Sequence, residues 1–257
     1  MNVNILAVGD VVGKSGIEFL ERRLAGFKRL KNIRFTVVNG ENANGVGITP
    51  RQADAILSAG ADVVTLGNHT WTRREIQPYL DACDRVLRPA NYAPQCPGRG
   101  FGVFETPFGR ICVINLLGRY TLDSNTDNPF VTVDNIVEDV EAEIFLVDMH
   151  AEGTSERCAM GYFLDGRVGA VWGTHTHVQT SDARVLPKGT GFIGDVGMTG
   201  PAESVIGINP EQSVSKFRGD PPRRYEEAPG PAKMECAIFE IDSETGKCLG
   251  AEAVRLL

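Results

Sequence analysis

The sequence lacks the marks of an exported or membrane-embedded chain. No stretch approaches the roughly 20 consecutive apolar residues that a membrane span requires. The opening MNVNILAVGDVVG has no basic segment and turns polar after a short apolar run, so it does not read as a secretory signal. The six cysteines (Cys83, Cys96, Cys112, Cys158, Cys236 and Cys248) form no C-x-x-C pair, and none stands near a histidine at zinc-finger spacing. Free, mostly buried thiols in a reducing cytoplasm are the expectation. Positive charge is also short: 26 Lys and Arg against 33 Asp and Glu leave a net charge of −7. With a pI near 5.2, generic binding to nucleic acid or to an anionic membrane is excluded. There is no internal repeat, no low-complexity tract and no linker that would separate a pair of cores.

What is present is an ordinary globular balance, 42% hydrophobic and 23% charged, in a chain long enough to bury roughly 70–75% of its unfolded surface. Asn4–Val8, Arg34–Val38 and Asp62–Leu66 read as buried strands. Between them, Gly16–Leu30 carries Ile17, Leu20, Leu24 and Phe27 on one helical face, and Thr49-Pro50 opens a second helix that Gly60 ends. A helix near Thr72–Ala82 follows, with Pro78 inside it. This alternation is the pattern of parallel βαβ units. Beyond residue 100 the pattern changes. Hairpins are predicted for 102–116, 183–194 and 234–256, a helix at Val133–Glu141, and strands at Ile144–Val147 and Val168–Gly173. Pro201–Lys233, with six prolines and no clean period, reads as a long surface loop or flap. The predicted architecture is one α/β domain over 1–257, a mixed sheet in two packed layers with helices outside.

Five segments share one form, an apolar run that ends in metal-competent side chains. They are ILAVGD ending at Asp10, FTVVNGEN ending at Glu41-Asn42, and DVVTLGNH ending at Asn68-His69. The others are EIFLVDMH ending at Asp148 and His150, and AVWGTHTH ending at His175 and His177. Each puts its polar residues just beyond the carboxyl end of a strand, the edge where ligand sites of α/β sheets assemble. Each residue alone has an ordinary explanation as a turn, a helix cap or a solvated charge. All four histidines of the chain, however, fall in these segments. Imidazole, carboxylate and carboxamide donors without thiolate suit manganese, iron, zinc, nickel or cobalt. His-x-His at 175 and 177 is expected to set two imidazoles on one side of an extended stretch. So many donors suit two ions about 3.5–4 Å apart, able to clamp a phosphoryl group and to lower the pKa of water.

The order of these motifs resembles that of the calcineurin-like metallophosphoesterases, and within them the YmdB-like phosphodiesterase branch. The matching stretches are GDVVGKSG (9–16), NGENANGVGIT (39–49), LGNHTW (66–71), VDMHAE (147–152) and GTHTHVQTSD (173–182). Where the broad superfamily has Asp-x-His, Asp10 is followed by Val11-Val12, and where it has a bridging Asp this chain has Glu41-Asn42. Both departures look like the YmdB-like pattern. The resemblance implies a metallophosphoesterase-like sandwich of two mixed β-sheets flanked by helices. It implies two divalent metal ions per chain, iron or manganese foremost, with Asp10, Asn42 and His177 at the first, Asn68, His150 and His175 at the second, and Glu41 bridging. His69 would face the phosphate as general acid or hydrogen-bond donor. The implied reaction is in-line attack of metal-activated hydroxide on a small phosphodiester, cyclic nucleotides (2′,3′- or 3′,5′-) in particular, by a cytoplasmic enzyme that self-associates. Thr174, Thr176 and the Gly13-Lys14 backbone are open between phosphate contacts and turn residues.

Two other readings compete. VGDVVGKS (8–15) looks like a P-loop, but Gly9 and Gly13 enclose three residues where that loop needs four, and Asp10 would lie in the phosphate cradle. A regulatory or binding protein that keeps its metals without useful turnover carries the same ligands.

Overall fold

The computed structural model describes residues 1–122, 125–221 and 223–257. In chain order its elements are β1 (Asn2–Val8), β2 (Asp10–Val11), α1 (Gly13–Leu30), β3 (Ile33–Asn39), α2 (Pro50–Ala59), β4 (Val63–Thr65), α3 (Ile76–Ala82) and β5 (Val86–Leu87). Then come β6 (Phe101–Thr106), β7 (Gly109–Leu117), α4 (Pro129–Asp139), β8 (Ile144–His150), α5 (Thr154–Phe163), β9 (Ala170–Thr174), β10 (Arg184–Val185) and β11 (Gly191–Ile193). The last are β12 (Met198–Pro201), α6 (Pro210–Phe217), β13 (Ala232–Asp242) and β14 (Cys248–Leu256).

The strands form two mixed sheets. One has eight strands in the order β2-β12-β13-β1-β3-β4-β5, with β14 on the far edge of β13. The other has six, in the order β10-β11-β9-β8-β7-β6. β1, β3, β4 and β5 run parallel, as the βαβ pattern predicts. In the second sheet β7, β8, β9 and β11 are parallel, with antiparallel β6 and β10 at its edges.

Strand alternation builds the core and then the site. Val3, Ile5 and Ala7 of β1, Phe35 and Val37 of β3, and Val63 of β4 meet Ile144 and Leu146 of β8 and Ala170 and Trp172 of β9 between the sheets. The alternate positions, Leu6, Val8, Val38 and Val64, face outward under α1, α2 and α3. On the other side Ile114, Val147 and Val171 pack under α4 and α5. Period-two geometry carries the inter-sheet face on to Asn39, Thr65, Asp148, His150 and Thr174. There the apolar layer ends and buried polar side chains begin.

Local chemistry explains the helix ends. Thr49 caps α2 by a reciprocal capping box with Gln52, and Pro50 fills the first turn. Asn128 caps α4 without a reciprocal partner, accepting from the Phe130 amide at 3.0 Å, and Pro129 fills its first turn. The helix expected at Thr72–Ala82 begins only at Ile76, so Pro78 lies in its first turn, where no amide hydrogen is needed.

Pro201–Lys233 is not loop throughout. Asn209 accepts from the Glu211 amide at 2.9 Å and Pro210 opens α6. Val205–Ile208 closes a tight turn, and Ile208 bridges to Glu227. Proline content masked this: Pro210 starts a helix rather than breaking one. Pro222 lies outside the described residues. Among the cysteines Cys112, Cys236 and Cys248 are buried and Cys83, Cys96 and Cys158 half-buried. Among the described residues no helix is long and apolar enough to cross a membrane.

Trp172 and Phe239 stack between the sheets, with ring centroids 6.0 Å apart. Both are almost wholly buried. Phe239→Ala should therefore lower unfolding stability by about 3–5 kcal/mol in urea titrations. A loss under about 1 kcal/mol would mean that this core collapses around the gap.

Candidate metal centre

Every sequence-predicted site residue arrives at one rim. Asp10 follows β1, Glu41-Asn42 follow β3 and Asn68-His69 follow β4. His150 is the last residue of β8, and His175 and His177 follow β9. The carboxyl ends of both sheets thus meet over the polar end of the inter-sheet layer.

His150 is the hub. Its Nε2 lies 3.0 Å from Glu41 Oε1, 3.0 Å from Asn68 Oδ1 and 3.1 Å from His175 Nδ1. Asn42 Nδ2 is 3.2 Å from Glu41 Oε1 and 3.1 Å from His177 Nε2. Asp10 Oδ1 stands 3.8 Å from His177 Nε2 and 3.9 Å from His150 Nδ1. The His69 amide donates to Glu41 Oε2 at 3.0 Å, and its ring Nε2 is 3.4 Å from Asn68 Nδ2. Gly67 permits this crowding, since a Cβ there would overlap both Glu41 Oε2 and His150 Nε2.

The outer nitrogen of each clustered histidine is fastened. The Thr174 hydroxyl donates to Asp148 at 2.7 Å, so it accepts from His150 Nδ1–H at 2.9 Å. Asp148 also accepts from Thr65 at 2.5 Å and Asn39 at 3.3 Å. The Glu152 carboxylate takes His175 Nε2 at 3.0 Å, and the Ile206 carbonyl takes His177 Nδ1 at 2.9 Å. These bonds leave His150 Nε2, His175 Nδ1 and His177 Nε2 turned to the common centre. Such outer partners fix the tautomer of a metal-ligating imidazole.

The His-x-His stretch is not extended, as its sequence suggested. His175 has φ 107° and His177 φ 64°, in the region that L residues rarely occupy. Thr176 between them gives its amide and hydroxyl to Asp195 at 3.1 and 2.7 Å, and Arg157 holds Asp195 from behind. Thr174 and Thr176 are therefore turned inward. The Gly13 amide bonds Asn42 O at 3.1 Å and the Lys14 amide bonds Glu227 at 3.0 Å, so neither is free for phosphate. Sequence reasoning missed Glu152 and Asp195 as supporting groups. Asp195 did carry a signal: FIGDVG repeats the strand-then-Gly-Asp form of ILAVGD.

Electrostatics mark the same centre. Burial pushes the Asp10 carboxyl up to about 7, opposed by the His150 charge and aided by Glu41. Burial works against ionised Glu41 too, but His150 and the His69 amide outweigh it and hold Glu41 down at about 2. Burial would discharge His150, yet Glu41, Asp10 and Asp148 raise it to about 9. Burial and the His150 charge drive His175 down to about 3.

Does this set fit divalent cations? Asp10 Oδ1 is buried without a hydrogen-bond partner. Ligand atoms of Glu41, His150 and His175 lie within 4.8 Å of one another. Nitrogen and oxygen donors converge with no thiolate, and an orphaned carboxylate oxygen calls for a cation. The residues fit.

A two-sheet α/β sandwich with this donor cluster on its seam defines a metallophosphoesterase-like protein. Comparison with known proteins gives the branch: the family model described as YmdB-like protein matches residues 6–254, and the chain belongs to that family. It is 38% identical, over 98% of its length and 96% of the relative's, to a Bacillus subtilis protein named 2′,3′-cyclic-nucleotide 2′-phosphodiesterase. A phosphatase structure from Mycoplasma pneumoniae superposes with TM-score 0.94 at 34% identity, covering 100% of this chain and 94% of that one. A hypothetical protein from Thermus thermophilus gives 0.92 at 35%, covering 99% of each chain.

The His150 shift sets a pH dependence for chelator-treated protein. Its pKa rises from an ordinary 6.5 to about 9 in the fold. That stabilisation is complete below 6.5 and is lost as pH rises through about 9. Asp10, raised from 3.8 to about 7, also favours the lower side. The Tm of the chelated chain should fall from pH 6.5 to 9, and added Mn²⁺ should raise it most at the alkaline end. A flat Tm profile across that range would contradict the assignment of His150 as the buried cation.

Proposed function

We propose that the chain is a dinuclear-metal phosphodiesterase whose substrates are small phosphodiesters, cyclic nucleotides foremost. The coarser reading, a hydrolase of phosphoric diesters, rests on the family and on the named activity of the Bacillus subtilis relative. The single observation that carries the metal assignment is Asp10 Oδ1, buried and unpartnered amid imidazole nitrogens whose outer atoms are all fastened.

Asp10, Asn42 and His177 are assigned to one cation and Asn68, His150 and His175 to the other, with Glu41 between them. Bound there, two such ions, iron or manganese foremost, supply positive charge to the phosphoryl group and lower the pKa of water. The protein's own groups do the rest. Asp148 and Thr174 hold His150 in register, and Asp195 holds the H-T-H turn. His69 stands half-buried at the rim beside Asn68, placed to give a proton to the leaving oxygen as the P–O bond breaks and water adds to phosphorus. A cavity of about 310 Å³ opens beside His177, lined also by Lys14, Asn44, Ile206 and Tyr225, and offers room for the organic portion of the ester.

Elemental analysis of purified chain should return two ions per chain. His69→Ala should keep them and lose about 10²–10⁴-fold in turnover of bis-p-nitrophenyl phosphate and of 2′,3′-cyclic AMP. A metal-replete parent without turnover would overturn the enzyme reading in favour of a binding protein. A fully active His69→Ala would remove the acid role alone.

A further inference from the structure

The segment between β12 and β13 reaches the centre through the Ile206 carbonyl, and what holds that carbonyl in place lies further along the same segment. Val205 and Ile208 exchange backbone hydrogen bonds at 2.9 and 3.0 Å, closing a two-residue turn. Its middle residues have positive φ, 50° at Ile206 and 101° at Gly207. Both values match the turn that suits a tight hairpin, but a β-branched residue there is strained. Strain of this kind persists only where the surroundings over-determine it, and it gathers at functional sites. Here the strained residue aims its carbonyl at His177 Nδ1, 2.9 Å away.

The hairpin is pinned from its far strand. Ile208 pairs with Glu227, and the Ala228 amide donates to Gly207 O at 3.0 Å. Glu227 then reaches the first turn of α1. Its carboxylate accepts from the Lys14 amide at 3.0 Å and the Ser15 amide at 2.8 Å. Helix α1 has no side-chain cap of its own, because Val12 occupies that position. Glu227 thus supplies the missing acceptors and an anion at the positive end of the helix dipole. Gly13 is shaped for this partner: its φ is +65°, and a Cβ there would overlap Glu227 Oε2.

We infer that Ile206 and Glu227 are positioning residues for His177. Glu227 fastens the hairpin to α1, and the Ile206 carbonyl, held by that latch, keeps the His177 proton on Nδ1 and its Nε2 lone pair toward Asp10 and Asn42. The consequence for metal binding rests on the reading of His177 as a ligand; the control of its tautomer does not. The segment that looks like an excursion from the fold is, on this account, the outer support of one metal site.

Calorimetric Mn²⁺ titration of the parent, Glu227→Ala and Glu227→Gln chains tests the consequence for metal binding. In Glu227→Ala one of the two ions should bind about 10–100-fold more weakly, the usual cost of losing an outer partner. Glu227→Gln, whose amide oxygen still accepts from α1, should recover some of that loss. Equal affinity for both ions in the parent and Glu227→Ala would overturn the positioning role. Nitrogen-15 NMR of the imidazoles in chelated protein tests the control of the tautomer without metal. The parent should show His177 protonated at Nδ1, and Glu227→Ala should shift it toward the Nε2–H form. Identical ring spectra would sink the inference whatever the titration gives. A parent with the Nδ1–H ring that bound no Mn²⁺ would refute the ligand reading of His177 and leave its latch intact.

Discussion

The structure turns on an electrostatic conflict placed in a buried seam. Asp10 and Glu41 are wholly buried and within reach of one imidazole. An ionised group buried without compensation costs several kcal/mol even after relaxation. A proton on His150 compensates Glu41, and Asp10 is left with an unpartnered oxygen. On the proposed reading, cations bound there would satisfy both carboxylates at once. The seam is buried because two apolar sheet faces meet beneath it, and it is polar because those faces end in Asn39, Thr65, Asp148 and Thr174.

Holding several lone pairs on one point requires that each imidazole be fastened from outside, and the fold uses a different device for each. A buried hydroxyl relayed to Asp148 serves His150, and a half-exposed carboxylate serves His175. A strained carbonyl serves His177. The H-T-H turn is itself strained, and the buried Asp195–Arg157 pair underneath keeps it so. A pair of that kind adds little net stability but constrains geometry, and here it constrains a turn that carries two of the clustered imidazoles.

Much of this was legible in the residues. The βαβ alternation, the Thr49-Pro50 start of α2, the hairpin at 101–117 and the strand-end form of the donor segments all follow from local pattern, and the structure repeats them. Of the strands of two to four residues, β4, β10 and β11 were legible from the apolar run or turn signal beside them, whereas β2, β5 and β12 have no such marker and were not. Helix α6 was hidden by proline content, although Asn209-Pro210 is a local start signal. In the site, donor residues were visible by type and place. Glu152 and Glu227 were not, since an exposed glutamate looks alike in sequence whether or not it meets a partner far along the chain.

The position of β1 in the first sheet governs how the protein comes into being. β1 lies between β3 and β13, and Asn2 is paired with Asp242. One edge of β1 is covered by its near neighbour β3, but the other is covered only by a strand far along the chain. An uncovered apolar strand is a template for association with other chains. Asp10, which follows that strand directly, is held by the Gly197 carbonyl and pairs with Met198 of β12, so this carboxylate too is set in place by a contact far along the chain.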